Sequence, residues 1–255
     1  MQYTRHRLIV ERLRASQTLT VAQLRGLTGA SAATVRRDLD ALEGLGLLRR
    51  VRGGAVATDE PVADADAARP FDAVAAGDPA RKRRIARAAA ARVEDGQTVI
   101  LDIGTTTMHL ARALRGRRVT VVTANLAVVD ALREDRDVEL VLLGGTLRRS
   151  YHSFVGALTD HAIRQVRADW VFLGASGVTR EGTVLDTTQV EVPVKRALVT
   201  AGERVVLLAD GDKLPGRGTF QVCGPEALDL VVTDAGADPR MVEALRAAGC
   251  AVETV

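Results

Sequence analysis

Seven short runs of apolar, often β-branched residues recur through the last two-thirds of the chain, and they restrict its fold more than any other feature. They read TVILDIG (98–104), RVTVVTAN (118–125), VELVLLGG (138–145), DWVFLGASG (169–177), RVVLLADGD (204–212), DLVVTDAG (229–236) and CAVETV (250–255). Between most of them lie helical patterns: TMHLARALRG, LAVVDALRED, VEVPVKRALVTAG and DPRMVEALRAAG. Strands that are apolar on both sides, alternating with helices, imply a sheet covered on both faces. The expectation is an α/β domain over 80–255 with a mostly parallel sheet.

The first 56 residues are patterned differently. Leu8, Ile9 and Leu13 mark one amphipathic helix, and TVAQLRGLTG marks a short second one, with Thr20 as N-cap and Gly29 as stop. Ser31 can cap a third helix whose Val35, Leu39, Leu42 and Leu45 share one side, with Gly44 and Gly46 ending it. LLRRVRGGAVA then reads as a hairpin turning at Gly53-Gly54. Three helices and a basic hairpin make a small winged helix-turn-helix domain, 1–56. Residues 57–79, rich in Ala, Asp and Pro, read as a linker containing a short helical piece at most.

Charge follows the same division. The chain carries a net charge of +3, yet residues 1–56 hold ten Arg against four acids, +6, which leaves −3 for the remainder. A basic unit on an acidic body suits contact with a polyanion. With the apolar side of the third helix turned inward, Ala33, Thr34, Arg36 and Arg37 face outward on its N-terminal half, the part that enters a DNA major groove in such motifs. Arg forks onto guanine, Thr34 reaches a phosphate or a thymine methyl, and Ala33 permits close approach. Arg49, Arg50 and Arg52 on the hairpin are placed for backbone or minor groove. An ordinary solvated face is the competing reading, in which Asp38 or Asp40 pairs with Arg36 or Arg37 as helix neighbours.

In the second region, LDIGTTTMHLARAL (101–114) carries the strongest chemical signal. A strand ends at Asp102, Gly and three Thr follow, and a helix begins, so backbone N–H groups and hydroxyls converge where an anion can bind. Other strand ends add Thr123 to Asn125, Gly144, Gly145, Arg148, Gly174, Asp210 and Lys213. Arg148, Lys195 and Lys213 supply positive charge, and Asp102 or Asp210 can accept sugar hydroxyls. Such loops on one sheet edge favour a small phosphorylated ligand, whereas each loop alone reads as ordinary turn chemistry.

Two Cys and four scattered His give no disulfide framework and no metal spacing, so neither metal nor cofactor is expected, and the cysteines read as buried small hydrophobes of a reducing, cytoplasmic setting. The charged start and the lack of a run of about 18 apolar residues argue against a signal peptide or a membrane span. Dinucleotide and P-loop glycine motifs are missing from the expected places.

The stretch SAATVRRDLDALEGLGLLRRVRGGA resembles the signature of DeoR-type transcriptional regulators, matching at Ser31, Thr34, Val35, Arg36, Arg37, Asp38, Leu39, Leu42, Glu43, Arg50, Gly53, Gly54 and Ala55. Arg52 stands where the family usually has His, and Ala30 where it has Val. RKRRIARAAAARVEDGQTVILDIGTTTMHLARAL, TVVTANLAVVDAL, VLLGGTLRRSYHSFVG and the segments up to ADGDK are similar to the sensor domain of the same regulators. That resemblance implies a fold like ribose-5-phosphate isomerase, a phosphorylated sugar or sugar-derived effector, and a homo-oligomer, dimer or tetramer. On matched positions it implicates Ser31 as well as Arg36 and Arg37 for DNA, and Asp102, Gly104, Thr105, Thr106, Gly144, Gly145, Gly174, Lys195, Asp210 and Lys213 for the effector. The family often has Thr-Asn where this chain has Thr123-Ala124, with Asn125 one place later.

The function expected is a repressor of a carbohydrate-metabolism operon that binds a double-stranded DNA operator and is not an enzyme. The alternative is an isomerase-like enzyme with an appended DNA-binding module, for which Asp102, Glu191 and Lys195 are the candidate acid–base groups. Against it, Glu191 and Lys195 read as a helix-surface pair four residues apart.

Overall fold

The computed structural model describes residues 2–16, 18–44, 48–51, 53–56 and 71–255. Contacts divide the chain into two units, Met1–Arg69 and Pro70–Val255.

The first unit contains helix α1 (Gln2–Ser16), strand β1 (Thr18–Thr20), helices α2 (Val21–Thr28) and α3 (Ala32–Gly44), and strands β2 (Arg49–Val51) and β3 (Gly54–Val56). Thr20 caps α2 in a reciprocal box with Gln23, and Gly29, at φ 66°, ends it. Ser31 Oγ accepts from the Thr34 N–H at 3.2 Å and so caps α3. Ile9, Leu13, Leu24, Val35, Leu39, Leu42, Leu48 and Ala55 form one buried core, while Leu45 and Gly46 lie outside the described residues. The wing has a strand that the sequence pattern did not reveal: β1 pairs antiparallel with β3, giving the order β1-β3-β2. This pairing explains Gly54, since a Cβ there would lie 2.2 Å from the Leu19 carbonyl oxygen.

The second unit opens with α4 (Phe71–Ala76) and α5 (Pro79–Ala90), so the last residues read as linker are packed elements; 57–70 lie outside the described residues. There follow β4 (Thr98–Leu101), α6 (Thr105–Ala113), β5 (Thr120–Thr123), α7 (Leu126–Leu132), β6 (Glu139–Leu142), β7 (Thr146–Arg148), β8 (Ser153–Val155) and α8 (Ala157–Ile163). The rest comprises β9 (Ala168–Gly174), β10 (Gly177–Val178), β11 (Val184–Asp186), α9 (Val192–Ala201), β12 (Gly202–Leu208), β13 (Phe220–Cys223), β14 (Leu230–Thr233), α10 (Pro239–Ala247) and β15 (Ala251–Thr254).

All seven expected runs are strands of one sheet, ordered β15-β14-β12-β9-β4-β5-β6, and every pairing in it is parallel. Alternate side chains serve opposite faces. Val99, Leu101 and Val121 meet Ile85, Leu110 and Val128 of α5, α6 and α7. Ile100, Val122 and Val171 meet Ile163, Leu198 and Leu245 of α8, α9 and α10. Two small antiparallel pieces flank this core: the β7-β8 hairpin and the sheet β10-β11-β13.

The chain order creates one switch point. From β4 it proceeds outward to β5 and β6, then returns to the other side of β4 for β9, β12, β14 and β15. The connections therefore part at the carboxyl ends of β4 and β9, the position where ligands bind in open α/β sheets. Among the described residues no helix is long and apolar enough to cross a membrane, and no group of acids, His or Cys is placed to hold a metal ion.

Candidate functional site

On α3, Ala33, Arg36 and Arg37 are exposed and Thr34 is half-buried, while Val35, Leu39 and Leu42 face the core. The nearby carboxylates do not neutralise those arginines. Asp38 is buried and bound by Arg5 Nε at 2.5 Å and His6 Nε2 at 2.9 Å. Burial pushes its carboxyl up, but the hydrogen bonds from Arg5 and His6 outweigh this and hold it below the usual range. Asp40 instead pairs with Arg50, whose backbone N–H donates to Glu43 Oε1 at 2.6 Å. The pairing of Arg36 or Arg37 with Asp38 or Asp40 considered from the sequence is therefore not what forms. Both arginines stay outside the ion pairs found among the described residues, on the exposed side of a capped helix.

The other expected DNA contacts fare differently. Ser31 spends its hydroxyl locally, on the Thr34 N–H and the Thr34 Oγ1 at 2.9 Å. Arg50 is committed to α3 and fixes the wing to that helix. Arg49 lies on β2, and Arg52 lies outside the described residues.

At the switch point of the large sheet, Asp102 follows β4 and is fully enclosed. Its Oδ2 accepts the Gly174 N–H at 2.9 Å and pairs with the buried Lys195 ammonium. Lys195 Nζ also donates to the Gly174 carbonyl at 3.0 Å and lies 3.6 Å from Asp186 Oδ2. Burial opposes its charge, but Asp102, Asp186 and Glu191 outweigh that and hold it firmly cationic. Glu191 is buried too, paired with Arg148 and accepting from Ser153 Oγ at 2.9 Å. Burial pushes its carboxyl up to about 7, against the pull of Arg148 and Lys195. The helix-surface pairing of Glu191 with Lys195 is thus corrected: both are inside, each with a partner distant in sequence. Asp102 Oδ1 and Glu191 Oε2 are buried acceptors without a hydrogen-bond partner among the described residues.

Beside this cluster, Gly104 takes φ 126° and begins α6 without a side-chain cap, leaving first-turn N–H groups at Thr105 and Thr106 unanswered by a cap. Thr107 closes the turn by donating to Asp102 O at 2.7 Å. Thr123 Oγ1 donates to Leu101 O at 2.8 Å, so it braces two strand ends. Asn125, which stands one place later than the family's Asn, is fully buried. Its Oδ1 caps α7 at the Ala127 N–H, and its Nδ2 donates to Gly104 O at 3.2 Å. Its register shift was visible in the sequence; its reach across to the β4 loop was not.

The remaining expected residues spread along the sheet edge. Gly144 and Gly145 follow β6, two strands from β4, or about 10 Å at usual strand spacing. Gly145, at φ 158°, would bring a Cβ within 2.0 Å of Thr159 Oγ1. Gly144 O accepts from Thr159 Oγ1 at 2.9 Å. Asp210 and Lys213 lie after β12, where Asp234 accepts the Gly211 N–H at 2.8 Å and meets Arg81, which also reaches Asp212 at 3.2 Å. Asp102, Gly104, Thr105, Thr106, Gly174 and Lys195 therefore form one locus at the switch point, with Arg148 tied to it through Glu191, while Gly144, Gly145, Asp210 and Lys213 flank it.

A winged helix-turn-helix followed by an α/β domain with a polar locus at its switch point has the two-part layout of a DNA-binding regulator. The DeoR-like helix-turn-helix domain matches residues 5–61, and the DeoR C terminal sensor domain matches 78–235. The chain belongs to the DeoR family of transcriptional regulators. It is 32% identical to the glycerol-3-phosphate regulon repressor of Escherichia coli (strain K12), over 92% of this chain and 91% of that one. It is 34% identical to the HTH-type transcriptional regulator GlpR of Haloferax volcanii, over 97% and 96%. The transcriptional repressor AccR of Agrobacterium fabrum is 34% identical over 89% and 88%. Among solved structures, ribose 5-phosphate isomerase A of Methanocaldococcus jannaschii aligns over 52% of each chain with a TM-score of 0.38 and 16% identity.

Proposed function

We propose that the protein represses a carbohydrate-metabolism operon and that a phosphorylated sugar or a related metabolite releases it from DNA. The observation that carries the ligand reading is the switch-point locus, where an uncapped helix start adjoins buried, unpartnered carboxylate oxygens. The cations nearest the locus are already answered: Lys195 by Asp102 and Asp186, Arg148 by Glu191. An anionic group is thus better served by the N–H groups of Thr105 and Thr106. Hydroxyls of the same ligand suit Asp102 Oδ1 and Glu191 Oε2, which have no donor among the described residues. One relative's name, the glycerol-3-phosphate regulon repressor, is consistent with a ligand of this kind.

For DNA, Arg36 and Arg37 are the proposed base readers, Thr34 and Ala33 the close-approach positions, and the wing arginines Arg49 and Arg52 the backbone contacts. A homo-oligomer presents paired α3 helices to half-sites one helical turn apart. Exposed Val141, Leu142, Leu147 and Leu158 near the β6 end of the sheet offer apolar surface for such assembly.

The test is fluorescence anisotropy on labelled DNA from upstream of the gene cluster, at fixed salt, with excess nonspecific DNA and a panel of sugar phosphates. Tight binding abolished by one phosphate is expected. Binding no tighter than to nonspecific DNA overturns the repressor reading at that site. Turnover of ribose 5-phosphate by the same preparation would support the enzyme reading instead.

A further inference from the structure

We propose that Tyr151 and Phe71 are positioning residues that relay the state of the sensor locus to the segment leading toward the DNA-binding unit. The inference deepens the effector reading above, since it names how that site acts on the rest of the chain.

Helix α4 is the first described element after residues 57–70 and follows in the chain directly on the division between the two units at Arg69 and Pro70. Its Phe71 is buried against Met108 and Ala127, which belong to the first turns of α6 and α7. Those two helix starts border the locus. Phe71 also donates its N–H to the Ser150 carbonyl at 2.9 Å, and its ring meets that of Tyr151 edge-on at 6.1 Å.

Tyr151 lies in the β7-β8 turn, and the Arg148 guanidinium sits over its ring, 5.5 Å from the centroid. Arg148 is the partner of Glu191, which also holds Ser153. Ser153 bridges to Asn125, and Asn125 reaches Gly104 at the start of α6. Each link is a hydrogen bond, an ion pair, a ring contact or, between Ser153 and Asn125, a β-bridge held by Leu126 N–H to His152 O at 2.8 Å and Phe154 N–H to Ala124 O at 2.8 Å, and together they join the locus to α4. Arg148 is the responsive member, because a ligand hydroxyl that donates to Glu191 competes with its guanidinium for that carboxylate. Any shift of Arg148 changes what lies on Tyr151, and Tyr151 is one wall of the Phe71 site. Coupling requires an element with two arrangements biased from both ends. Docked and loosened α4 are those arrangements.

Hydrogen–deuterium exchange on the full-length chain tests this without a ligand. Glu191→Gln alters the partner of Arg148 and lies outside the Phe71 site, which is lined by Met108, Ala127 and Ala75. Amides 71–77 are expected to exchange at least tenfold faster in that variant, while α10, on the opposite sheet face, stays as in the wild type. Tyr151→Leu should give the same result, and Tyr151→Phe, which keeps the ring, should restore slow exchange. Unchanged exchange in α4 of Glu191→Gln, or an equal rise in α4 and α10 in both Glu191→Gln and Tyr151→Leu, overturns the relay. A wild type whose DNA binding ignores every sugar phosphate sinks the effector reading, while the exchange result still decides the relay.

Discussion

Lys195 has its ammonium between Asp102 and Asp186, and removing it leaves two carboxylates buried without their cation. Lys195→Met should therefore cost about 3–5 kcal/mol, the usual cost of breaking one side of a buried pair, measured as a shift in urea unfolding of the full chain. Gly54 makes a different demand, because a Cβ there overlaps the Leu19 carbonyl. Gly54→Ala should destabilise the first unit by about 1–3 kcal/mol, as overpacking does, and lower DNA affinity before it touches the second unit. Residue roles at the locus were legible only in part. Asp102 announced itself by ending an apolar strand ahead of Gly-Thr-Thr. Its partner stands 93 residues away, and no local pattern connects the two.

At the scale of elements, α3 combines a buried apolar side, an N-cap at Ser31 and two exposed arginines outside the local ion pairs. Arg36→Ala or Arg37→Ala should cost about 1–3 kcal/mol of operator affinity and relax preference at one base pair. Anisotropy across single-base operator variants checks this; a loss equal on all sequences would assign that arginine to phosphate instead. The seven sheet strands were readable because each is buried on both faces and so is continuously apolar. Strand β1 was not, being three residues with two exposed threonines that become a strand only against β3. Helix α4 was read as linker for a similar reason: six residues rich in alanine carry little pattern, and Phe71 finds its site among residues 37 or more positions away.

For the molecule as a whole, two buried groups set opposing slopes of stability against pH. His109 is buried with Nε2 unpartnered among the described residues; burial, then Arg112, Arg83 and Lys82, bring it down to about 4. The unfolded chain takes up that proton first, so stability is lost as pH falls from about 6.5 toward 4. Glu191 is raised to about 7, so its contribution is complete below the unfolded value of 4.5 and is lost as pH rises through 7. Each amounts to about 3 kcal/mol at full extent. His109→Gln should remove the acid-side loss and Glu191→Gln the loss above pH 5, read from urea midpoints across pH 4–8. A flat difference between wild type and His109→Gln over that range would show that His109 titrates normally. The strand order has a consequence for how the chain is made. The first unit closes on contacts within 56 residues, but β4 at the middle of the sheet waits for β9, about 70 residues later, before its second edge is paired. Contacts that distant form slowly, and domains emerging first from synthesis fold first. A chain halted before Ala168 therefore has α3 in place while the floor of the switch-point locus has yet to be laid.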